Sequence, residues 1–196
     1  EFKDGSAGER EVSQCNSGVM AAAAGVLFDR LTEIDANNAS GELYLTDFIG
    51  KAVARGLPCR AVRCAERETL GVNSRVELMQ AEKEFQNLRR AEALEDGVSM
   101  PAPETVHFSY DTVIGRDTIV EQNVVFGPGV TVESGAQIRA FSHLEGAHVS
   151  RGCIIGPYAR LRPGAELAED VKIGNFVEIK ASALGEGSKV NHLSYI

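Results

Sequence analysis

From residue 114 onward an apolar side chain returns at every sixth position. Ile114, Val120, Phe126, Val132, Ile138 and Leu144 keep one phase, and Ile155, Leu161, Leu167, Ile173 and Ile179 resume it after an eleven-residue step. Four places after these, the residue is small or branched: Thr118, Val124, Val130, Ala136 and Ser142, then Ala159, Ala165, Val171, Val177 and Ala183. A period of six matches neither the 3.6 of a helix nor the 2 of a half-buried strand. It predicts a parallel β-helix, in which each six-residue side of a triangular coil points one apolar side chain into a shared core.

The rest of the chain is bounded by its composition. The 196 residues are 43% hydrophobic and 24% charged, as in soluble globular proteins, and no apolar run approaches a membrane span. No basic-then-apolar signal opens the sequence. Cys15, Cys59, Cys64 and Cys153 are scattered without metal-ligand spacing and read as reduced thiols of a cytoplasmic protein. A net charge of −8 argues against non-specific nucleic-acid binding. It leaves room for a small phosphorylated ligand in a local cationic pocket. The chain begins at Glu1 without methionine and stops at Ile196 inside the repeat with no polar terminal coil, so a piece of a longer protein is expected.

Three segments are expected. Residues 1–73 read as mixed α/β structure: a strand from Ser17 to Met20 leads into a helix through Leu27 and Phe28, and Asn37-Asn38-Ala39-Ser40-Gly41 has turn chemistry. Thr46-Asp47 would cap a helix through Ala54 that Gly56 and Pro58 end, and Cys59 to Cys64 would form a short strand. Residues 74–103 read as a helix with an apolar stripe at Leu78, Ala81, Phe85 and Leu88, stopped at Gly97, then a stiff Met100-Pro101-Ala102-Pro103 connection. The charged residues of that helix read as a solvated face. Residues 104–196 carry the β-helix.

Residues eighteen apart stack on adjacent rungs of such a coil, about 4.8 Å from one another. Arg162 and Lys180 have that separation. Two stacked cations repel, and a phosphate between them would resolve the repulsion. The other reading is that both heads splay into solvent. His192 follows two sides later, with Tyr195 close behind; an imidazole beside a phosphorylated substrate suits general-base work, and the other reading is a structural histidine. His107, His143 and His148 have no second ligand at useful spacing.

The residues also carry a resemblance. Arg160-Leu161-Arg162-Pro163-Gly164, Gly174-Asn175-Phe176-Val177-Glu178-Ile179-Lys180 and Gly187-Ser188-Lys189-Val190-Asn191-His192-Leu193-Ser194-Tyr195 resemble the bacterial bifunctional N-acetylglucosamine-1-phosphate uridylyltransferase and glucosamine-1-phosphate N-acetyltransferase family. Glu1-Phe2-Lys3-Asp4, Cys15-Asn16-Ser17-Gly18, Gly41 to Asp47 and Gly71-Val72-Asn73-Ser74-Arg75 are similar to the closing part of its uridylyltransferase domain. The resemblance implies an α/β plus all-β protein. It would have the C-terminal part of a Rossmann-like nucleotidyltransferase domain (1–73), a linker helix and Pro-rich connection (74–103), and a left-handed parallel β-helix of hexapeptide repeats (104–196). It implies acetyl transfer from acetyl-CoA to glucosamine-1-phosphate, then uridylyl transfer from UTP with Mg²⁺. Arg162, Lys180 and Tyr195 would hold the amino-sugar phosphate and His192 would be the base. Glu1 and Asn16 would hold the N-acetylglucosamine moiety, and Asn73 would coordinate Mg²⁺. A homotrimer with the acetyltransferase site between subunits is implied, with no membrane or nucleic-acid partner. The family's glycine-rich nucleotide loop, its aspartate metal partner and its acetyl-CoA coils are not in this sequence, so the chain alone is expected to be inactive. Two alternatives stay open. One is a nucleotidyltransferase whose β-helix only assembles subunits. The other is a non-catalytic trimerisation module.

Overall fold

A six-residue side closes into a triangle only if the chain turns sharply after every short strand. In the computed structural model, which describes residues 6–14 and 16–196, a residue at positive φ makes each such turn. The series runs from Asp117 and Asn123 through Phe141, Tyr158 and Phe176 to Leu193. Steps of six are broken by two steps of five, from Phe141 to Gly146 and from Phe176 to Ala181. Left-handed backbone costs a bulky side chain roughly 1–2 kcal/mol. The three aromatic corners offset this by stacking: Phe141 on Tyr158 with ring centroids 4.9 Å apart, and Tyr158 on Phe176 at 5.2 Å.

Fifteen short parallel strands result, wound into three five-stranded sheets. One sheet stacks β1 (Val113–Ile114), β4 (Thr131–Val132), β7 (Ala147–Val149), β10 (Ala165–Leu167) and β13 (Ala183–Leu184). The second stacks β2 (Ile119–Val120), β5 (Gln137–Ile138), β8 (Ile154–Ile155), β11 (Lys172–Ile173) and β14 (Lys189–Val190). The third stacks β3 (Val125–Phe126), β6 (His143–Leu144), β9 (Arg160–Leu161), β12 (Val177–Ile179) and β15 (Ser194–Tyr195). This is a parallel β-solenoid of hexapeptide repeats, the architecture of a left-handed β-helix.

The apolar row is the core: Val120, Phe126, Ile138, Leu144, Ile155, Leu161 and Ile179 are wholly buried, as are Val124, Ala136 and Cys153 in the row of small residues. The eleven-residue step conceals a five-residue side. Val149 fills the core five places after Leu144, and Leu184 follows Ile179 by five. Register therefore mixes offsets of eighteen (Val113 with Thr131) and seventeen (Thr131 with His148). Stacking at a uniform eighteen is wrong by one wherever a rung includes a short side. It is right between β9 and β12.

Helix α3 (Arg75–Glu95) meets the first rung through its polar side chains. The Gln86 amide acts as a strand would: its Nε2 donates to Phe108 O (2.6 Å) and its Oε1 accepts from Phe108 N (2.9 Å). Arg90 Nε donates to Val106 O and Arg89 Nη2 to Thr112 O. The expected apolar stripe is only half right. Ala81 and Phe85 are half-buried, Leu78 and Leu88 are exposed, and the buried residue is Gln86. An unpaired sheet edge needs donors and acceptors more than it needs apolar cover. Some of the charged residues read as a solvated face are thus committed to backbone carbonyls. Val98 and Met100 already lie in the coil's core, and Ser99 bridges to Ile119, so pairing starts ahead of residue 104.

The chain divides into two compact units, Glu1–Glu77 and Leu78–Ile196. In the first, α1 (Ala24–Leu31) packs with α2 (Asp47–Ala54), which starts after Thr46 and ends at Gly56 in left-handed backbone. Among the described residues, Phe48 and Ala52 are its buried apolar ones. Glu33 bonds both Arg30 (2.6 Å) and Arg55 (2.7 Å), chiefly the former, which holds its carboxyl below the usual range. Asn38 Oδ1 accepts from Ser40 N and Glu42 N, making the expected turn. Neither expected strand forms. Residues 17–20 and 59–64 run without ladder partners among the described residues, and Val19 and Val62 are exposed. Alternation alone makes no strand when no neighbour pairs with it.

Two measurements test this packing. Gln86→Leu leaves the Phe108 N–H and C=O without partners and is expected to destabilise the solenoid by about 1–3 kcal/mol in urea unfolding. Cys153 is enclosed in the core, donates to Ala168 O, and has its thiol pushed up to about 11 by burial. A thiol reagent at pH 8 should therefore label exposed Cys59 and Cys64 in the native protein and reach Cys153 only on unfolding.

Candidate functional site

The third sheet positions most of the acetyltransferase residues expected from the sequence. Arg160 is register partner to Glu178, and Glu178 to Tyr195, so these three form an outward column. Leu161 and Ile179 then point inward, and Arg162 and Lys180 follow, one rung above the other at the corner that closes the side. Backbone bonds lock that alignment: Arg162 N donates to Ile179 O (2.8 Å) and Lys180 N to Ile196 O (2.7 Å). Outward alternation puts Tyr195 and both cations on the same outer surface.

Arg162 does not splay into solvent. Its Nη1 bonds Glu178 Oε1 at 2.9 Å, with each side chain about one-third exposed. Glu178 was missed by the sequence reading, although its signal was available. An acidic residue two places before Lys180 stands beside Arg162 once adjacent rungs are aligned. Lys180 is exposed and its ammonium has no partner among the described residues. The cluster is thus two cations tempered by one carboxylate. An incoming phosphate would compete with Glu178 for the guanidinium fork and find Lys180 free.

His192 is not brought to the pair within one chain. Leu193 N donates to Asn175 O (3.2 Å), so His192 lies at the corner that opens the side. Lys180 is five residues further along it than Asn175, roughly 15 Å at the rise of a strand. The imidazole is exposed and makes no hydrogen bond or ion pair among the described residues, and only its carbonyl accepts from Ser194 Oγ.

His148 differs from expectation. Its Nε2 is 3.1 Å from Glu133 Oε1 and its Nδ1 3.5 Å from Glu166 Oε2, because adjacent rungs supply partners far away in sequence. His107 lies 3.8 Å from Glu82. His143 is register partner to Arg160 in the outward column. Among the described residues no group of three or more His, Cys, Asp and Glu is arranged to hold a metal ion.

In the first unit, Glu1 lies outside the described residues. Asn16 Oδ1 accepts from Gly18 N (2.9 Å) in an exposed turn. The Asn73 N–H donates to Glu77 Oε2 (2.6 Å), and Ser74 Oγ accepts from Glu77 N, which caps α3. The Asn73 bond first, then Ser74, holds the Glu77 carboxyl below its ordinary range. Magnesium takes several oxygens, carboxylates among them. Beside Asn73 the nearby Glu77 is committed to the cap, so the described residues alone do not make a Mg²⁺ site.

The comparisons with known proteins follow the same division. The family described as bacterial transferase hexapeptide (six repeats) matches residues 146–181, the coils that carry Arg162 and Lys180. The chain is 59% identical over all 196 residues to the "Bifunctional protein GlmU" of Jannaschia sp. (strain CCS1). It is 61% identical to that of Roseobacter denitrificans and 63% to that of Ruegeria sp. (strain TM1040), again over its whole length. The resemblance read from the motifs therefore holds from end to end. The chain spans 43–44% of the length of these relatives. Among solved structures, the acetyltransferase domain of PglB from Neisseria gonorrhoeae is 21% identical, with a TM-score of 0.27 over 57% of this chain and 61% of that one.

The ion pair gives a direct prediction. Glu178→Gln removes the carboxylate that competes for Arg162, and inorganic phosphate should then bind about two- to fivefold more tightly, as read by titration followed by ³¹P resonance.

Proposed function

We propose that this chain is the stretch of a GlmU-type bifunctional enzyme that holds the amino-sugar phosphate during acetyl transfer. The observation that carries the reading is Arg162 stacked in register with Lys180 on the surface that also bears Tyr195. The phosphate of glucosamine-1-phosphate docks on Arg162 and Lys180, and Tyr195 contacts the sugar. His192 is the base. As the amine nitrogen attacks the thioester carbonyl of acetyl-CoA, the C–N bond forms, the C–S bond breaks, and the nitrogen's proton passes to the imidazole. The coenzyme A thiolate then leaves and is protonated. An ammonium cannot attack, so a group that takes the proton is required.

Within one chain His192 stands too far from the cation pair for a single sugar phosphate to touch both. This supports a homotrimer in which one copy's Arg162 and Lys180 face another copy's His192. The product, N-acetylglucosamine-1-phosphate, would receive a uridylyl group from UTP at a second, Rossmann-like domain whose closing part is residues 1–73, with Glu1 and Asn16 at the sugar. Asn73 would need ligands from outside this stretch to hold Mg²⁺, and no step is assigned to the metal here. The chain alone is expected to be inactive in both reactions, and the parent enzyme to be cytoplasmic. The competing reading, a β-helix that only assembles subunits, gives no reason to keep two cations in register on one face.

Calorimetric titration with glucosamine-1-phosphate tests this in the full-length protein that contains the stretch. Arg162→Ala and Lys180→Ala should each weaken binding at least tenfold. His192→Gln should preserve binding and lower kcat by about 10²–10⁴. Mixed oligomers of Arg162→Ala and His192→Gln chains should recover part of the activity, because some interfaces pair two intact halves. Full binding without the cations would leave only the scaffold reading.

A further inference from the structure

A second cationic surface lies on a different face, among β2, β5, β8, β11 and β14. Its outward column runs Ile119, Gln137, Ile154, Lys172, Lys189, with Lys172 and Lys189 direct register partners on adjacent rungs. Beyond the core residues, a parallel column runs Arg139, Gly156, Gly174, Asn191, aligned by the backbone bonds Arg139 N to Ile155 O, Gly156 N to Ile173 O and Gly174 N to Val190 O. Between these columns is a cavity of about 260 Å³. Gly156 and Gly174 contribute bare backbone to its lining. A Cβ on Gly174 would collide with the Asn191 carbonyl and one on Gly156 with the Ser142 hydroxyl, so neither position accepts a side chain.

Arg139, Lys172 and Lys189 all line this cavity, and none has an ion-pair partner among the described residues. Glu121 stands one rung from Arg139, but its Oε2 accepts from Ala140 N (2.9 Å). In a chain of net charge −8 this differs from the proposed sugar-phosphate site, where Glu178 already tempers Arg162. Lys172 over Lys189, about 4.8 Å apart at the backbone, is an unfavourable stack unless an anion sits between the ammonium groups. Arg139 lies two rungs from Lys172, about 10 Å along the coil. That is too far to share one phosphoryl group, and its planar fork suits a second one.

We infer that this trough is a binding site for a compact ligand carrying two linked phosphoryl groups, with Lys172 and Lys189 on one phosphoryl and Arg139 on the other. Its volume falls below the roughly 300–1,000 Å³ of drug-sized ligand pockets, which fits a diphosphate group better than a large molecule. The inference does not rest on the acetyl-transfer reading, since it uses another sheet and other residues.

The test is calorimetric titration of the 196-residue chain with inorganic pyrophosphate, inorganic phosphate and ADP at fixed ionic strength. Pyrophosphate should bind at least tenfold more tightly than phosphate. Lys172→Gln with Lys189→Gln should weaken pyrophosphate at least tenfold. Arg139→Gln should weaken pyrophosphate but not phosphate, and the tight pyrophosphate site should survive in Arg162→Ala, which removes only anion binding at the sugar-phosphate pair. ADP binding as tightly as pyrophosphate assigns the site to a diphosphate ester, and binding of pyrophosphate alone assigns it to the free ion. Pyrophosphate binding no tighter than phosphate, or unchanged in the Lys172 and Lys189 double variant, would overturn the inference. Loss of pyrophosphate binding with Arg162→Ala would also overturn it.

Discussion

The parallel ladder closes on itself only because one apolar side chain per side points inward and one left-handed residue turns each corner. Those two demands repeat together, and everything else on the coil inherits their spacing. Where a side loses a residue, at Val149 and again at Leu184, the inward position is kept and the corner moves with it. Core burial outweighs strict periodicity. At Phe141, Tyr158 and Phe176 the corners tolerate strained aromatic residues because the rings stack rung on rung. A solenoid turns local strain into a repeated contact.

The same register converts sequence distance into chemistry. Arg162, Glu178 and Lys180 are scattered along the chain yet form one cluster, as do Arg139, Lys172 and Lys189 on another face. The two clusters differ in how their charge is balanced. One carries an internal carboxylate that an incoming anion must displace, and the other has cations with no ion-pair partner among the described residues. His148 between Glu133 and Glu166 shows the opposite arrangement, with one imidazole bridging carboxylates from the rungs on either side. Opposite charges on neighbouring rungs stabilise each other, whereas like charges left unpaired mark places where a ligand or a partner copy can supply the missing charge.

Legibility varied by element for physical reasons. The coil was readable because every side buries its own residue, so the pattern is local and redundant. The helix 75–95 was readable as a helix, but not the face it buries, since Gln86 is selected by the unpaired backbone of Phe108 and not by hydrophobicity. The strands expected at 17–20 and 59–64 failed because a strand is defined by a neighbour, and alternation says nothing about whether one is present. Glu178 lies sixteen residues from Arg162 and meets it only across rungs, so the pair shows once the register is laid out.

The solenoid, its inward row and the eighteen-residue spacing that stacks Arg162 on Lys180 could all be read from the amino acids, because a period of six fits neither a helix nor a flat half-buried strand. Which ions pair across rungs, where the trough lined by Arg139, Lys172 and Lys189 opens, and that His192 stands at the far corner of its side emerge only in three dimensions. Those outcomes depend on register offsets of seventeen against eighteen. A single omitted residue at a corner shifts every later neighbour, and no local pattern reports that shift until the rungs are laid on one another.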